Sequence, residues 1–293
     1  MTFLRHIKLC NEHDLSSFRP LILSGRRIGW IKNNLRQCFA DFPEYILFTD
    51  CDVQIKPHLN TARLLGEAMG KIATALYEQG LTNSPLNEFY AVGHRFGESV
   101  FQLNRASVSA FGVGAYGIHL TGFVRKSGKL LVWVPRRALD RVAYPGKLDN
   151  TVAGGQPANL SLHENLIKEC AEEANIGPDY VARARPVGTI GYLRELPHGL
   201  RDDLIFSYDL ELPLDFRPSN RDGEVEDFQL WPIERVMEVV AGGDGFKFNC
   251  NLVLIDFFIR HGFLTKQDDD FDVICEGLYG SGYKYRGGQE VSV

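Results

Sequence analysis

Apolar residues recur along the chain at two spacings, and the switches between them predict where strands give way to helices. Over 60–80, Leu64, Leu65, Ala68, Met69, Ile72, Ala73, Leu76 and Tyr77 fall on one helical stripe, which Asn60 or Thr61 can cap. Before it, the pattern predicts a short helix near 11–18 and a hydrophobic run at 21–23 after Pro20. Strands at 27–31 and 45–48 and a helix over 31–39 ending before Pro43 complete that part. Further strand candidates occupy 85–105. From Ala115 the character changes. Residues 119–124 alternate, and Lys126-Ser127-Gly128-Lys129 reads as a hairpin turn into Leu130–Val134. Strands follow at 187–194, 203–212 and 227–231, with helices over 232–240 and 248–260. Residues 146–155 read as a glycine-containing loop, and 266–293 as a C-terminal tail. The pattern is therefore α/β (α+β). A smaller N-terminal α/β domain spans 1–112, and a mixed sheet sandwiched by helices spans 113–265.

The chemistry concentrates in 154–176. Glu169, Glu172 and Glu173 stand at i, i+3 and i+4, so a helix puts all three carboxylates on one face. Like charges so placed repel by roughly 0.2–0.5 kcal/mol per pair. A solvated acidic face is the ordinary reading of such a cluster, and three neighbouring features argue for more. Leu162, Leu166, Ile167, Cys170 and Ala174 give the segment an apolar face to pack. Ser161 and Glu164 have the spacing of a capping box. Gly154-Gly155 lies just upstream, where backbone without side chains can approach a ligand closely. Three carboxylates on one face suit Mg2+ or Mn2+, hard cations that bind carboxylates together with substrate phosphate.

Composition narrows the function classes. The 293 residues carry a net charge of -5, with 44% hydrophobic and 24% charged residues. These are the proportions of a globular protein, and the acidic balance argues against a nucleic-acid partner. Six scattered cysteines without a Cys-x-x-Cys pair suggest reduced thiols and a cytoplasmic setting. No apolar run reaches the roughly 18–20 residues that span a bilayer, so no membrane partner is expected. Apolar positions over 248–263 suit either a core or a homodimer interface.

The run Lys-Glu-Cys-Ala-Glu-Glu-Ala-Asn-Ile at 168–176 resembles the second half of the Nudix box. Pro145–Asn150, Val152–Gly155, Glu164–Cys170, Phe111–Val113, Tyr116–His119, Asp222–Glu226 and 249–262 extend the likeness. Together they resemble the Nudix proteins related to the N-terminal region of thiamine pyrophosphokinase. The resemblance covers nearly the whole chain. It departs from the general box in lacking the early Glu, where Asn159, Leu160 and Ser161 stand, in having Lys168 for Arg, and in having Asn175 for Gly.

The resemblance implies a Nudix sandwich after the N-terminal domain, and a Mg2+-dependent hydrolase of a small-molecule diphosphate. Thiamine diphosphate, or its oxidised or damaged analogues, would yield the monophosphate and phosphate. Another nucleoside or sugar diphosphate, or a module that binds without turnover, are the alternatives. By resemblance Glu169 and Glu173 are metal ligands, Glu172 is ligand or base, and Glu224, ahead of Glu226, is the further downstream glutamate. Arg136 and Arg137 follow a strand and can grip diphosphate in two-pronged fashion; Lys147 is a similar candidate.

Overall fold

The computed structural model describes residues 3–280. Its elements are α1 (Leu4–Cys10), β1 (Phe18–Leu23), β2 (Arg26–Lys32), α2 (Arg36–Ala40), β3 (Ile46–Phe48), β4 (Val53–Ile55) and α3 (Ala62–Glu78). Then come β5 (Phe89–Val92), β6 (Phe101–Asn104), α4 (Val108–Phe111), β7 (Gly114–Lys126), β8 (Lys129–Arg137), β9 (Val152–Gly155) and α5 (Leu162–Ala174). α6 (Pro178–Val181), β10 (Arg185–Leu196), β11 (Gly199–Glu211), β12 (Val225–Pro232), α7 (Ile233–Gly242), α8 (Cys250–Arg260) and α9 (Phe271–Tyr279) complete the chain.

Two sheets of different size, with a separate two-stranded sheet of β5 and β6, organise these elements. The smaller has the order β2-β1-β4-β3, with β1 parallel to β4 and the other pairs antiparallel. α3 buries Leu65, Ala68, Met69, Ile72 and Leu76 in the core of this unit, along the stripe its sequence predicts. Thr61 caps α3 by accepting the Leu64 N–H. The β5–β6 hairpin packs on the same helix.

The larger sheet has the order β10-β11-β7-β8-β12, with β9 paired to β7. β7 runs parallel to β11 and antiparallel to β8 and β9. Alternation along β7 separates two cores. Ile118, Leu120 and Val124 meet Leu166, Cys170 and Ala174 of α5. Phe123 points the other way, into a core with α1, α7, α8 and α9. Helices thus cover both faces of a mixed sheet. Among the described residues, no helix is long and apolar enough to cross a membrane.

Several local expectations are corrected. The helix expected near 11–18 is a single 3-10 turn at Leu15–Ser17, because the Asp14 carboxylate caps the Ser16 N–H at 3.0 Å and holds a tight turn. The regular helix lies earlier, at α1, and packs into the larger sheet's core through Phe3, Ile7 and Cys10. The helix expected over 31–39 starts later, because β2 runs on to Lys32 and a 3-10 turn precedes α2. The loop expected over 146–155 ends in strand β9, held by four residue pairs to β7. Part of the tail expected over 266–293 is α9, which buries Phe271, Ile274, Cys275 and Leu278; residues 281–293 lie outside the described residues. The apolar positions of α8 are buried within the chain's own core.

Candidate active site

The site begins with the start of α5. Ser161 accepts the Glu164 N–H at 3.2 Å, and Glu164 accepts the Ser161 N–H at 2.8 Å, the capping box that the spacing predicts. The helix ends at Asn175, whose φ of 52° is left-handed. Between these caps, two turns of helix lie against the backbone of β9. Contact that close needs glycine. A β-carbon at Gly154 would stand 2.3 Å from the Glu169 carboxyl carbon, and one at Gly155 would stand 1.8 Å from the Tyr90 hydroxyl.

A cavity of about 610 Å³ opens over this contact. Gly154, Gly155, Glu169, Glu172 and Glu173 form one side, and Asp222 and Glu224, just before β12, form another. Glu88, Phe89, Gln102 and Arg105 of the β5–β6 region close it. Six carboxylates therefore face two cations, Arg105 and Lys168.

The three helix carboxylates are held differently. Glu173 is 6% exposed, and one of its oxygens accepts the Ala153 N–H at 2.8 Å. Burial, with Asp149 and Glu169 nearby, pushes its carboxyl well above the usual range, and the Ala153 bond only partly offsets this. Burial also raises Glu169, against the pull of Lys168. The Lys168 ammonium stands 3.0 Å from Glu169 and 2.8 Å from the more exposed Glu172. Glu224 pairs with Arg141 at 2.7 Å.

Among the described residues, no group of three His, Cys, Asp or Glu side chains converges as a ready metal cage. The expected ligands Glu169, Glu172 and Glu173 share the cavity, yet two of them close on Lys168 and the third on Ala153. The donors nevertheless fit a hard divalent cation in kind: crowded carboxylates with Lys168 as the stand-in positive charge. Seating an ion requires Glu169 and Glu172 to release Lys168, a rotation about flexible side-chain bonds.

The basic residues expected to hold phosphate lie elsewhere. Arg137 is buried, ion-paired with Asp149 at 2.8 Å and bonded to the Ala143 carbonyl. Arg136 donates to the Gly146 carbonyl at 3.0 Å and lies 3.9 Å from Asp227, while Lys147 donates to the Asp244 carbonyl. All three are outside the cavity wall. A cation's partner is set by the fold, and nothing in the local sequence at Arg136, Arg137 or Lys147 shows that carboxylate or carbonyl acceptors surround it. Arg105, which does line the cavity, gave no signal, because it lies 64 positions before Glu169, in a turn just past β6. Phe89 is the aromatic side chain on the wall. Phe101 is fully buried, and Phe96 packs on Tyr116 and Phe206 at 4.9 and 4.6 Å. His119 is a structural histidine: its ring nitrogen meets Asn150 at 2.6 Å, and burial lowers its pKa to about 4.

Comparison with known proteins places these features in context. Residues 2–115 match a domain of unknown function (DUF4743). Nudix hydrolase 20, chloroplastic, of Arabidopsis thaliana is 35% identical over 281 residues, covering 92% of this chain and 75% of that protein. Nudix hydrolase 24, chloroplastic, of the same plant is 35% identical over 274 residues with the same coverage. Among solved structures, DR0079 from Deinococcus radiodurans is similar at 20% identity and a TM-score of 0.43, over 54% of this chain and 92% of that one.

Proposed function

The chain belongs to the Nudix hydrolase family, whose members cleave diphosphate linkages, and from that premise we propose that it is a Mg2+-dependent diphosphatase converting thiamine diphosphate, or its oxidised or damaged analogues, to the monophosphate and phosphate. One observation carries the reading: a cavity in which three glutamates of one helix face a glycine pair, with six carboxylates against two cations. A diphosphate cannot enter such a field unaccompanied, so divalent cations must arrive with it or ahead of it. Glu169, Glu172 and Glu173 are the residues that would hold the ion. When bound, it neutralises phosphate oxygens and acidifies water for attack on phosphorus.

The chain's own groups divide the remaining work. The Ala153 N–H fixes one Glu173 oxygen and leaves the other free. Glu172, the most exposed of the three, can swing from Lys168 and take a proton from attacking water. Lys168, once released, is free to turn toward a phosphate oxygen. Glu224 enters from the opposite wall, oriented by Arg141. Gly154 and Gly155 let the substrate lie close to the backbone. The narrower thiamine reading is supported by the likeness of 145–155, 164–170 and 249–262 to the thiamine-related Nudix proteins. Six free thiols support a cytoplasmic setting.

Phosphate release from thiamine, oxothiamine and oxythiamine diphosphates, nucleoside di- and triphosphates and a sugar nucleotide tests the proposal. We expect Mg2+-dependent turnover of the thiamine compounds that falls at least about a hundredfold in Glu172→Gln and Glu173→Gln. Turnover of nucleotides alone would keep the hydrolase and remove the thiamine assignment.

A further inference from the structure

The wall opposite the acidic helix is built by the N-terminal unit. The Phe89 carbonyl accepts the Ala158 N–H at 2.8 Å, and the Tyr90 hydroxyl sits where only a glycine at 155 admits it. The β5–β6 hairpin is thereby held in fixed register against the glycine pair. Phe89 is 48% exposed, an aromatic ring on a cavity wall that also carries six carboxylates and two cations. Arg105, just past β6, pairs with Glu88 at 2.6 Å through one nitrogen, and nearly half its side chain is exposed. Of the two cations on the wall, Lys168 is bridged by two carboxylates, whereas Arg105 has one such partner and donors to spare.

We propose that this hairpin is the substrate-recognition wall: Arg105 grips the terminal phosphate, and Phe89 supports a flat heterocycle at the other end of the molecule. The substrate class is then a diphosphate ester of a planar ring compound. A guanidinium fork matches two phosphate oxygens, and an exposed ring face gains most from a flat apolar partner. The assignment of a diphosphate rests on the function proposed above.

The full chain, with Arg105→Gln, Arg105→Lys and Phe89→Ala, tests it through two readouts. Calorimetry measures binding of pyrophosphate and of thiamine diphosphate, with Ca2+ in place of Mg2+ to slow turnover. Steady-state kinetics with Mg2+ separates KM from kcat. Arg105→Gln should weaken both probes about tenfold or more and raise KM in parallel, with kcat within about threefold, and Arg105→Lys should recover part of the loss. Phe89→Ala should weaken thiamine diphosphate about tenfold and leave pyrophosphate unchanged. Binding within about twofold of wild type in both Arg105→Gln and Phe89→Ala, with circular dichroism intact, would overturn the proposal, as would a wild type that binds neither probe. A wild type that binds both probes through Arg105 yet releases no phosphate from any diphosphate would instead sink the diphosphatase reading alone.

Discussion

A single hydrogen atom in place of a side chain at 155 lets the β5–β6 hairpin seat against the larger sheet at the candidate active site. The Tyr90 hydroxyl fills the space a β-carbon would take, and the ring carbon bearing it lies 2.9 Å from the same point. Gly155→Ala must push the tyrosine or the strand away, at a cost of about 1–3 kcal/mol. In the double variant Gly155→Ala, Tyr90→Phe the hydroxyl is gone, and roughly half of that loss should return. Urea denaturation of the two single variants and the double variant reads the coupling; additive losses would show that the contact is not the cause. Gly154 works the same way against Glu169, which is why the glycine pair and the acidic helix occur together. That link is legible in sequence as a glycine pair followed by spaced glutamates. The tyrosine beneath it is not, because Tyr90 is 65 positions away.

Among the elements, α5 was the easiest to foresee and β9 the hardest. α5 carries its start signal, its apolar stripe and its acidic face within fifteen residues of one another, so local rules suffice. Ser161→Ala removes the hydroxyl that accepts the Glu164 N–H and should cost about 1 kcal/mol in urea denaturation. The helix and its carboxylates remain, so kcat should hardly change. β9 reads Val-Ala-Gly-Gly, a weak strand former, and exists because β7 offers it an edge at 117–120. The α9 positions Phe271, Ile274, Cys275 and Leu278 have helical spacing, but Asp268–Asp270 before them and Gly277 within them read as loop. Tertiary partners decided both cases.

At the scale of the molecule, the candidate active-site cavity is a joint product of segments near 88–105, 153–173 and 222–224. The acidic half was legible from its own residues, and the opposing half was not, since pairing between sheets leaves no local trace. α1 is another such case. Ile7 is 4% exposed and lies where a side chain on Gly277 would collide with it, so its side chain packs directly on the α9 backbone. Ile7→Ala should therefore cost about 2–4 kcal/mol, seen as a lower urea midpoint for the larger sheet's core; a loss under about 0.5 kcal/mol would mean that α1 is dispensable there.

α1 also bears on the order of folding. His6 meets the Val240 carbonyl 234 positions later, and Cys10 meets Phe248 238 positions later. During synthesis the β1–β6 unit can close while the helix ahead of it has nothing to pack on, and the helix must wait until α8 and α9 have emerged. A fragment stopped after residue 115 would leave α1 without the partners that bury Ile7 and Cys10. α8 and α9 act as the clasp that draws α1 home.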